Sequence, residues 1–192
     1  FTIERGFADI GQYLLYRGCF VNKLSLSVKP NAMITGSFDV VGLSGGVAAA
    51  PLNTHVVPAP THMPYDSYTG ELKEGGTTLA VVTGIDISLD NGIAAQYGVF
   101  QRSAKFVDWG KSTVTGTMTA FFEDASLIAK FLDETPTSLE FTIGSNVNGY
   151  TFLLPSIRYT GSEAPMQSDG PISISLPFAA KLDPVIGTNL RI

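Results

Sequence analysis

The sequence contains a single cysteine, only two histidines and few basic side chains. Because Cys19 stands alone, no intramolecular disulfide can form, and we expect a packed or surface thiol in a reducing compartment. Twelve Lys and Arg residues against 17 Asp and Glu residues give a formal net charge of −5. Surfaces that hold nucleic acid by neutralising phosphates are usually basic, so this balance argues against such a surface.

Long apolar runs are also missing. No stretch approaches the roughly 20 residues of a membrane-spanning helix, and no charged-then-apolar leader opens the chain. With 192 residues, of which 44% are apolar, the chain is long enough to bury one full core. We therefore expect a soluble protein, without contact with a membrane, that forms a single domain over residues 1–192.

Signatures of catalysis and of metal or cofactor binding are weak. Residues 42–46 match G-x-S-x-G, but a nucleophile elbow needs a following helix and a downstream acid and histidine, whereas here the chain runs into prolines. His55 and His62 have no familiar zinc spacing, and "DISLDNG" lacks the final glutamate of a calcium loop. Neither a Walker A loop nor G-x-G-x-x-G occurs. We expect no enzyme, no cofactor and no metal site.

Short segments of alternating apolar and polar residues dominate the chain. Alternation with period 2 is typical of strands, and turn signals that contain Asn, Asp and Gly separate the segments. The pattern predicts a mainly β protein, an antiparallel β-sandwich or partly closed barrel. The segments are "LSLSV" (24–28), "ITGSFDVV" (34–41), "LAVVTGIDISL" (79–89), "VTGTMTAFF" (114–122), "LEFTIG" (139–144), "YTFLLP" (150–155) and "ISISLPF" (172–178).

One segment has helical spacing instead. In "EDASLIAKFLDETP" (123–136), Leu127, Ile128, Phe131 and Leu132 recur with the helical period, and Asp124 is a plausible N-cap. This predicts one amphipathic helix that flanks the β core. A second, weaker helical turn is predicted in "IGQYLLYRG" (10–18).

A pair of segments occurs twice. "LSLSV" precedes "ITGSF" as "IDISL" precedes "VTGTM", so each alternating strand is followed by a strand with a Thr-Gly pair. The two pairs could lie in one sheet or mark two tandem half-domains, and chance similarity among short strands is the remaining alternative.

The polar positions of these strands have an unusual composition. Side chains alternate between the two faces of a strand, and the positions opposite the apolar face carry hydroxyls or aspartates. A face of this kind stays hydrated without attracting a polyanion, although strand propensity alone also favours Ser and Thr. The candidate lining residues are Ser25, Ser27, Thr35, Ser37, Asp39, Asp86, Ser88, Thr115, Thr117, Thr119, Ser173 and Ser175.

The alternation stops between residues 43 and 78, a segment rich in Gly, Ala, Pro and Thr. Loops longer than about 12 to 15 residues within a compact domain are usually functional arms or disordered segments. Both alternatives apply here, and apolar residues favour an arm that contacts a partner. The candidate contact residues are Val56, Val57, Tyr65 and Tyr68.

Five phrases together resemble the major tail tube proteins of long-tailed bacteriophages. They cover most of the chain apart from the segment 43–78. The phrases are "ERGFADIGQYLLYRG", "VNKLSLSVKPNAMITGSFDVVG", "VTGTMTAFFEDASLIAKFLDETPTSLEFTIG", "LPSIRYTG" and "GPISISLPFAAKLDPVIGTNLRI".

This resemblance implies a tail-tube fold whose copies form homo-oligomeric rings, hexameric or trimeric, that stack into a tube. Assembly in the host cytoplasm, contact with other tail proteins in the virion tail and passage of DNA through the lumen without specific binding are implied too. The hydroxyl and aspartate positions would line the lumen, and the arm 43–78 would reach a neighbouring ring. Alternatives are a distal tail, tail-terminator or secretion-system tube protein, or a carbohydrate-binding β-sandwich that uses Tyr97, Phe106 and Trp109.

Overall fold

The strands predicted from alternation are present, together with several that alternation did not reveal. The computed structural model describes residues 1–59, 61, 63–79, 81–145, 148–163 and 170–192. Strands make up 52% of the chain, which confirms the mainly β fold class. The elements are β1 (Ile3–Phe7), β2 (Gln12–Arg17), β3 (Phe20–Val28), β4 (Thr35–Val41), β5 (Ser44–Ala48), β6 (Leu72–Glu74), β7 (Thr77–Thr78), β8 (Val82–Asp90), β9 (Ala94–Tyr97), β10 (Ala104–Asp108), β11 (Thr113–Phe121), α1 (Ser126–Leu132), β12 (Thr137–Gly144), β13 (Gly149–Tyr159) and β14 (Ser173–Ala180).

The strands form three sheets. The largest has nine strands in the order β4-β3-β8-β11-β14-β13-β12-β6-β7, and it is curled, as expected for a partly closed barrel. A three-stranded sheet has the order β1-β2-β5, and β9 pairs with β10 in a hairpin. The two repeated strand pairs therefore lie side by side in one sheet, with β3 and β8 in the middle and the Thr-Gly strands β4 and β11 outside them.

The chain divides into two compact units. The first unit comprises Phe1–Lys23, Phe38–Met63 and Asp90–Ser112, and it contains the sheet β1-β2-β5 and the hairpin β9-β10. Its buried side chains include Leu15, Ile93 and Cys19, and the Cys19 Sγ donates to the Tyr16 carbonyl at 3.3 Å. The Cys19 thiol is thus a packed side chain, which is one of the two alternatives, packed or surface, that the sequence predicted.

The second unit comprises Leu24–Ser37, Pro64–Leu89 and Thr113–Ile192. Its core is built from the apolar positions of alternating strands, for example Met118 of β11, Leu139 of β12 and Phe178 of β14, all at most 1% exposed. Phe141 and Phe152 stack face to face with ring centroids 4.8 Å apart. Each large side chain buried in this way contributes roughly 1.5 to 3 kcal/mol, so the apolar face fixes the register of the sheet.

The predicted amphipathic helix is present as α1. Leu127 is buried, and Ile128 and Phe131 pack against the core of the second unit. Asp124 lies one residue before the N-cap position, which is Ala125, and its carboxylate accepts a hydrogen bond from the Ser126 N–H at 2.8 Å. Leu132, the fourth residue of the predicted apolar set, is 70% exposed, so the helix packs through three of the four side chains that the helical period indicated.

The weaker helical turn predicted in residues 10–18 is wrong. Residues 12–17 form β2, which pairs with β1 from Ile3↔Tyr16 to Phe7↔Gln12. Gly11 and Gly18 flank this strand and both have φ of 62°, a conformation that ends a strand in a tight turn. The apolar run "YLLY" fits both the helical period and the strand period. Pairing of this segment with β1 and β5 makes it a strand.

The segment 43–78 contains three short strands. β5 pairs with β2, while β6 pairs with β12 and with β7. Tyr65 packs edge-on against Tyr150, and the Tyr68 hydroxyl donates to the Asn31 side-chain oxygen at 3.0 Å. In contrast, Val56 and Val57 are more than 80% exposed. Between β5 and β6, the described residues form the isolated bridge Met33↔Asp66, and the carbonyls of Thr69 and Glu71 accept hydrogen bonds from the N–H groups of Gly144 and Thr142 in β12 at 3.2 and 2.8 Å.

Candidate functional site

Hydroxyl and aspartate side chains from four adjacent strands line one concave surface of the second unit. The hollow has a volume of about 720 Å³, and eight of the twelve candidate lining positions border it. We call this surface the concave polar face. The eight positions are Ser25, Ser27, Thr35, Ser37, Asp86, Ser88, Thr115 and Thr117.

Strand alternation explains why these residues share a face. In β11, Val114 and Met118 are almost completely buried, so Thr115 and Thr117 must point to the opposite side. In β8, Ile85 and Ile87 are buried in the same way, which leaves Asp86 and Ser88 on the open side. Because the sheet order is β4-β3-β8-β11, the polar positions of all four strands become neighbours.

The other four candidate positions lie outside the border of the hollow. Thr119 and Ser175 are directly paired in the β11-β14 register, two residues beyond Thr117, and Ser173 lies opposite Phe121. Alternation places Thr119, Ser173 and Ser175 on the same side of the sheet as Thr117. Asp39 belongs to the part of β4 that lies in the first unit.

Eight residues on this border were not among the predicted positions; five occupy apolar positions of the strands, and the other three are Thr160, Pro177 and Ala179. Pro177 and Ala179 continue the alternation of Ser173 and Ser175 along β14, and Thr160 follows β13 and donates its N–H to the Pro177 carbonyl at 2.8 Å. The alternation of "ISISLPFAA" does indicate Pro177 and Ala179, but a search for hydroxyls and carboxylates passes over apolar side chains. Thr160 is brought to the border by tertiary pairing alone.

Among the described residues, the border carries one ionisable side chain, the Asp86 carboxylate, and no Lys or Arg. One correction concerns the strand β3: continuing its alternation from Ser25 reaches Lys23, so its polar side does include a basic residue. Lys23 forms an ion pair of 2.9 Å with Asp90. The hydrogen bond with Asp90 raises the pKa of Lys23 and lowers the pKa of Asp90, so both are charged and offset each other at neutral pH.

The weak catalytic and metal motifs do not assemble into a site within the described part of the chain. Ser44 lies in β5 opposite Arg17, in place of the strand–turn–helix that a nucleophile elbow requires. The described residues include no group of three His, Cys, Asp or Glu side chains that could hold a metal ion. His55 is exposed, and His62 lies outside the described residues. Across the same described ranges, no helix has the length and apolar character to span a membrane.

Fold and surface together define a mainly β protein that presents a broad, hydroxyl-rich sheet face. The chain belongs to the phage tail tube protein family, because the model of that family matches residues 1–180 of the 192. This confirms at family level the resemblance carried by the five phrases. No curated protein matches the chain significantly.

Proposed function

We propose that this chain is the structural subunit of a phage tail tube, that its copies form rings stacked into a tube, and that the concave polar face lines the channel for DNA. The observation that carries the proposal is the convergence of eight Ser, Thr and Asp side chains from four neighbouring strands on one face. Membership of the tail tube family supports a location in the virion tail. We further propose that the tube assembles in the host cytoplasm and that other tail proteins are partners of this chain.

The chemistry of the concave polar face suits passage of DNA without specific binding. Hydroxyl groups hold a layer of water, and the Asp86 carboxylate repels phosphate. Because no Lys or Arg borders the hollow within the described part of the chain, DNA gains no counterion release by adhering to it. Membership of the tail tube family supports a structural role, and we propose that the protein is not an enzyme.

The free edge of the nine-stranded sheet is a suitable place for pairing between copies. β4 is the terminal strand, most of its residues are exposed, and "TGSFDVV" contains none of the Lys or Pro residues that protect sheet edges. Addition of a strand from a second copy would continue the concave polar face from one subunit to the next. Closed rings of three or six copies would satisfy every such edge.

In this proposal the arm is shorter than the segment 43–78. Tyr65 and Tyr68 contact their own unit and fix the base of the arm, whereas Val56 and Val57 are free to contact another copy. Burial of these two valines against a neighbouring ring would remove apolar surface from water.

A carbohydrate-binding role is disfavoured by the register of the hairpin β9-β10. Phe106 lies opposite Gln96, whereas Tyr97 lies opposite Ala104, with a register shift between the two pairs. Since Gln96 and Tyr97 are consecutive in β9, Phe106 and Tyr97 point to opposite faces. Trp109 packs edge-on against Phe20 at 5.6 Å. The three aromatic residues therefore do not form one flat platform for a sugar ring.

Negative-stain electron microscopy of the concentrated, purified protein tests the tube function. Stacked rings or hollow tubes are the expected result, and their end views give the number of subunits in a ring. Particles that stop at one ring would favour a tail-terminator or distal tail protein, and monomers at every concentration would contradict a subunit that assembles by itself.

A substitution tests the role of the concave polar face. Thr117→Lys should allow folding, because its side chain faces the open hollow, but should slow or trap DNA in assembled tails through the added positive charge. Thr135→Lys adds the same charge at an exposed position outside the hollow and is the matched control. DNA ejection at the wild-type rate in both variants would remove the lumen assignment.

A further inference from the structure

The tip of the hairpin β9-β10 exposes two apolar side chains. Val99 and Phe100 lie in the turn between the strands, Val99 is 81% exposed, and the Phe100 side chain is fully exposed. The turn is closed by a hydrogen bond from the Gln101 N–H to the Gly98 carbonyl at 3.3 Å. An isolated exposed apolar residue is common on protein surfaces, but a protruding pair at a turn tip needs a further explanation.

The backbone of Phe100 provides a second, independent observation. Its φ is 64°, in the left-handed region, at the third residue of a four-residue turn. Turns with positive φ at this position normally have Gly or Asn there, and a bulky residue in such a conformation is a rare outlier. A residue that breaks a local rule is expected where its side chain has a role outside the folded monomer.

The second unit contains a hollow that could accept such a tip. It has a volume of about 300 Å³, and much of its wall is apolar. Apolar cavities of ~150 Å³ already accommodate benzene, so this space suffices for one aromatic ring and a second, smaller side chain. We call this hollow the socket. Its apolar wall includes Val28, Ile34, Leu72, Leu79 and Ile143.

The charges of the tip and the socket are complementary. Arg102 and Lys105 follow Phe100 on the exposed hairpin. Among the described residues, the socket is bordered by the carboxylates of Asp66 and Glu71 and by Lys29, and Glu71 is ion-paired at 3.0 Å with Lys73, which also lies 3.8 Å from Glu140. These three carboxylates and two cations leave a net charge of −1 around the socket. Hydrogen bonds from Thr78 and Lys73 lower the pKa of Glu71, so this carboxylate remains ionised near neutral pH. Opposite charges around an apolar contact fix its orientation and speed its formation.

We propose that the hairpin tip of one copy inserts Val99 and Phe100 into the socket of a second copy of this chain. The contact is heterologous, since a knob on one copy meets a different surface on the next, and such contacts build rings or open stacks. A second copy is favoured over another partner because knob, socket and matching charges are all present on the same chain. The contact rests on the proposed function in that it supplies an interface for tube assembly.

Phe100→Gly separates this role from a role in folding. Glycine is the residue that the turn geometry favours, so the isolated variant should unfold at the same temperature as the wild type or slightly above it. Its critical concentration for assembly should rise at least roughly tenfold, because the contact loses a buried aromatic ring. Phe106→Ala, on the same hairpin but outside the turn, should assemble like the wild type. Assembly of Phe100→Gly at the wild-type concentration would overturn the proposal.

Cross-linking tests the contact even without tube formation. Gln101→Cys, which keeps Val99 and Phe100 in place, and Thr69→Cys are prepared as separate full-length proteins, mixed at assembly concentration and treated with a short bis-maleimide. Thr69 borders the socket and is exposed, while the native Cys19 is buried and should not react. A covalent dimer should form in the mixture, and not in either protein alone or with Tyr97→Cys in place of Gln101→Cys.

The outcomes distinguish the contact from the tube function. No dimer above the Tyr97→Cys control would overturn the knob-and-socket contact, whether or not tubes form. A specific dimer in a sample that shows no rings or tubes would support the contact and count against the proposed function.

Discussion

Gly116→Ala is the most direct probe of how tightly the strands of the second unit pack. Gly116 lies between Val114 and Met118 on the buried side of β11, and its register partner in β14 is Phe178. A Cβ built at this position would lie closer than 3.0 Å to both the Asp86 carbonyl oxygen and the Phe178 ring. Neither neighbour can retreat easily, since one is backbone of the adjacent strand and the other is a fully buried ring.

The expected magnitude follows from these contacts. Overpacking a well-filled core costs about 1 to 3 kcal/mol, and two rigid neighbours place this site near the upper end. Replacing glycine also lowers the entropy of the unfolded chain, which offsets roughly 0.4 to 1 kcal/mol. The net loss in the free energy of unfolding should be about 2 kcal/mol. For a chain of this size, that corresponds to a Tm lower by roughly 4 to 8 °C.

Urea denaturation with two matched glycine variants measures the effect. At Gly46, in β5, a Cβ would meet nothing within 4 Å, so Gly46→Ala should be neutral or slightly stabilising. At Gly36, the nearest atom to a Cβ is the Ser25 carbonyl oxygen at 3.1 Å. The stability of Gly36→Ala should therefore lie between the stabilities of Gly116→Ala and Gly46→Ala. The m-value should stay constant through the series.

Two results would refute this reasoning. A midpoint for Gly116→Ala equal to that of the wild type would mean that β11 can move away from its neighbours at little cost. Failure of Phe178→Leu to restore any stability in the Gly116→Ala background would mean that the ring is not the obstacle. In a double-mutant cycle, the coupling between the two substitutions should be favourable, because the smaller side chain vacates the space that the methyl group needs.

Two further predictions concern charged side chains near α1. Lys130→Ala should lower the free energy of unfolding by about 2 kcal/mol, because it leaves the buried Glu74 carboxylate without its ion-pair partner. Lys73→Ala removes only exposed ion pairs and should have a much smaller effect in the same urea titration. The hydrogen bonds from Ser126 lower the pKa of Asp124 below 3.8, so the carboxylate stabilises the fold above that pH and loses this effect as the pH falls through its folded-state pKa. The stability difference between wild type and Asp124→Asn should therefore shrink on acidification, and a difference that is constant from neutral pH to below about 3.8 would contradict the assignment.

The sequence predicted the strands whose two faces differ sharply. "ITGSFDVV" and "VTGTMTAFF" became β4 and β11 within one residue at each end, because a period of 2 with one apolar face specifies both strand and register. The helix α1 was predictable because its apolar residues recur with the helical period. The fold class therefore followed from local patterns in the second unit.

Several strands of the first unit carry no such signal. β5 reads "SGGVA", in which two glycines leave nothing to alternate, and it is a strand because its backbone pairs with β2. β2 reads "QYLLYR", whose consecutive apolar residues fit a helix as well as a strand. Such elements are decided by partners distant in the sequence, and a local reading cannot supply them.

The candidate face was predictable residue by residue but not as a surface. Alternation gave the polar side of each strand, whereas the neighbour relations β4-β3-β8-β11 depend on tertiary pairing. Pro177 and Ala179 lie on the same side of β14 as Ser173 and Ser175, but they carry neither a hydroxyl nor a carboxylate, so the pattern of polar residues did not indicate them. The socket was not predictable at all, since residues from separate parts of the second unit converge on it.

The repeat also indicates what should cover the free edge of the sheet. Gly36 lies close to the Ser25 carbonyl, and Gly116 lies close to the Asp86 carbonyl. Ser25 and Asp86 are the second residues of "LSLSV" and "IDISL", so the two contacts are equivalent in the repeat. Beyond β11, the second pair has β14, whose Phe178 covers Gly116. Beyond β4, the described residues provide no strand, and Phe38 stays 65% exposed. In the proposed ring, a strand of the next copy would therefore pair with β4, just as β14 pairs with β11 within one copy. A large apolar side chain of that strand would cover Gly36.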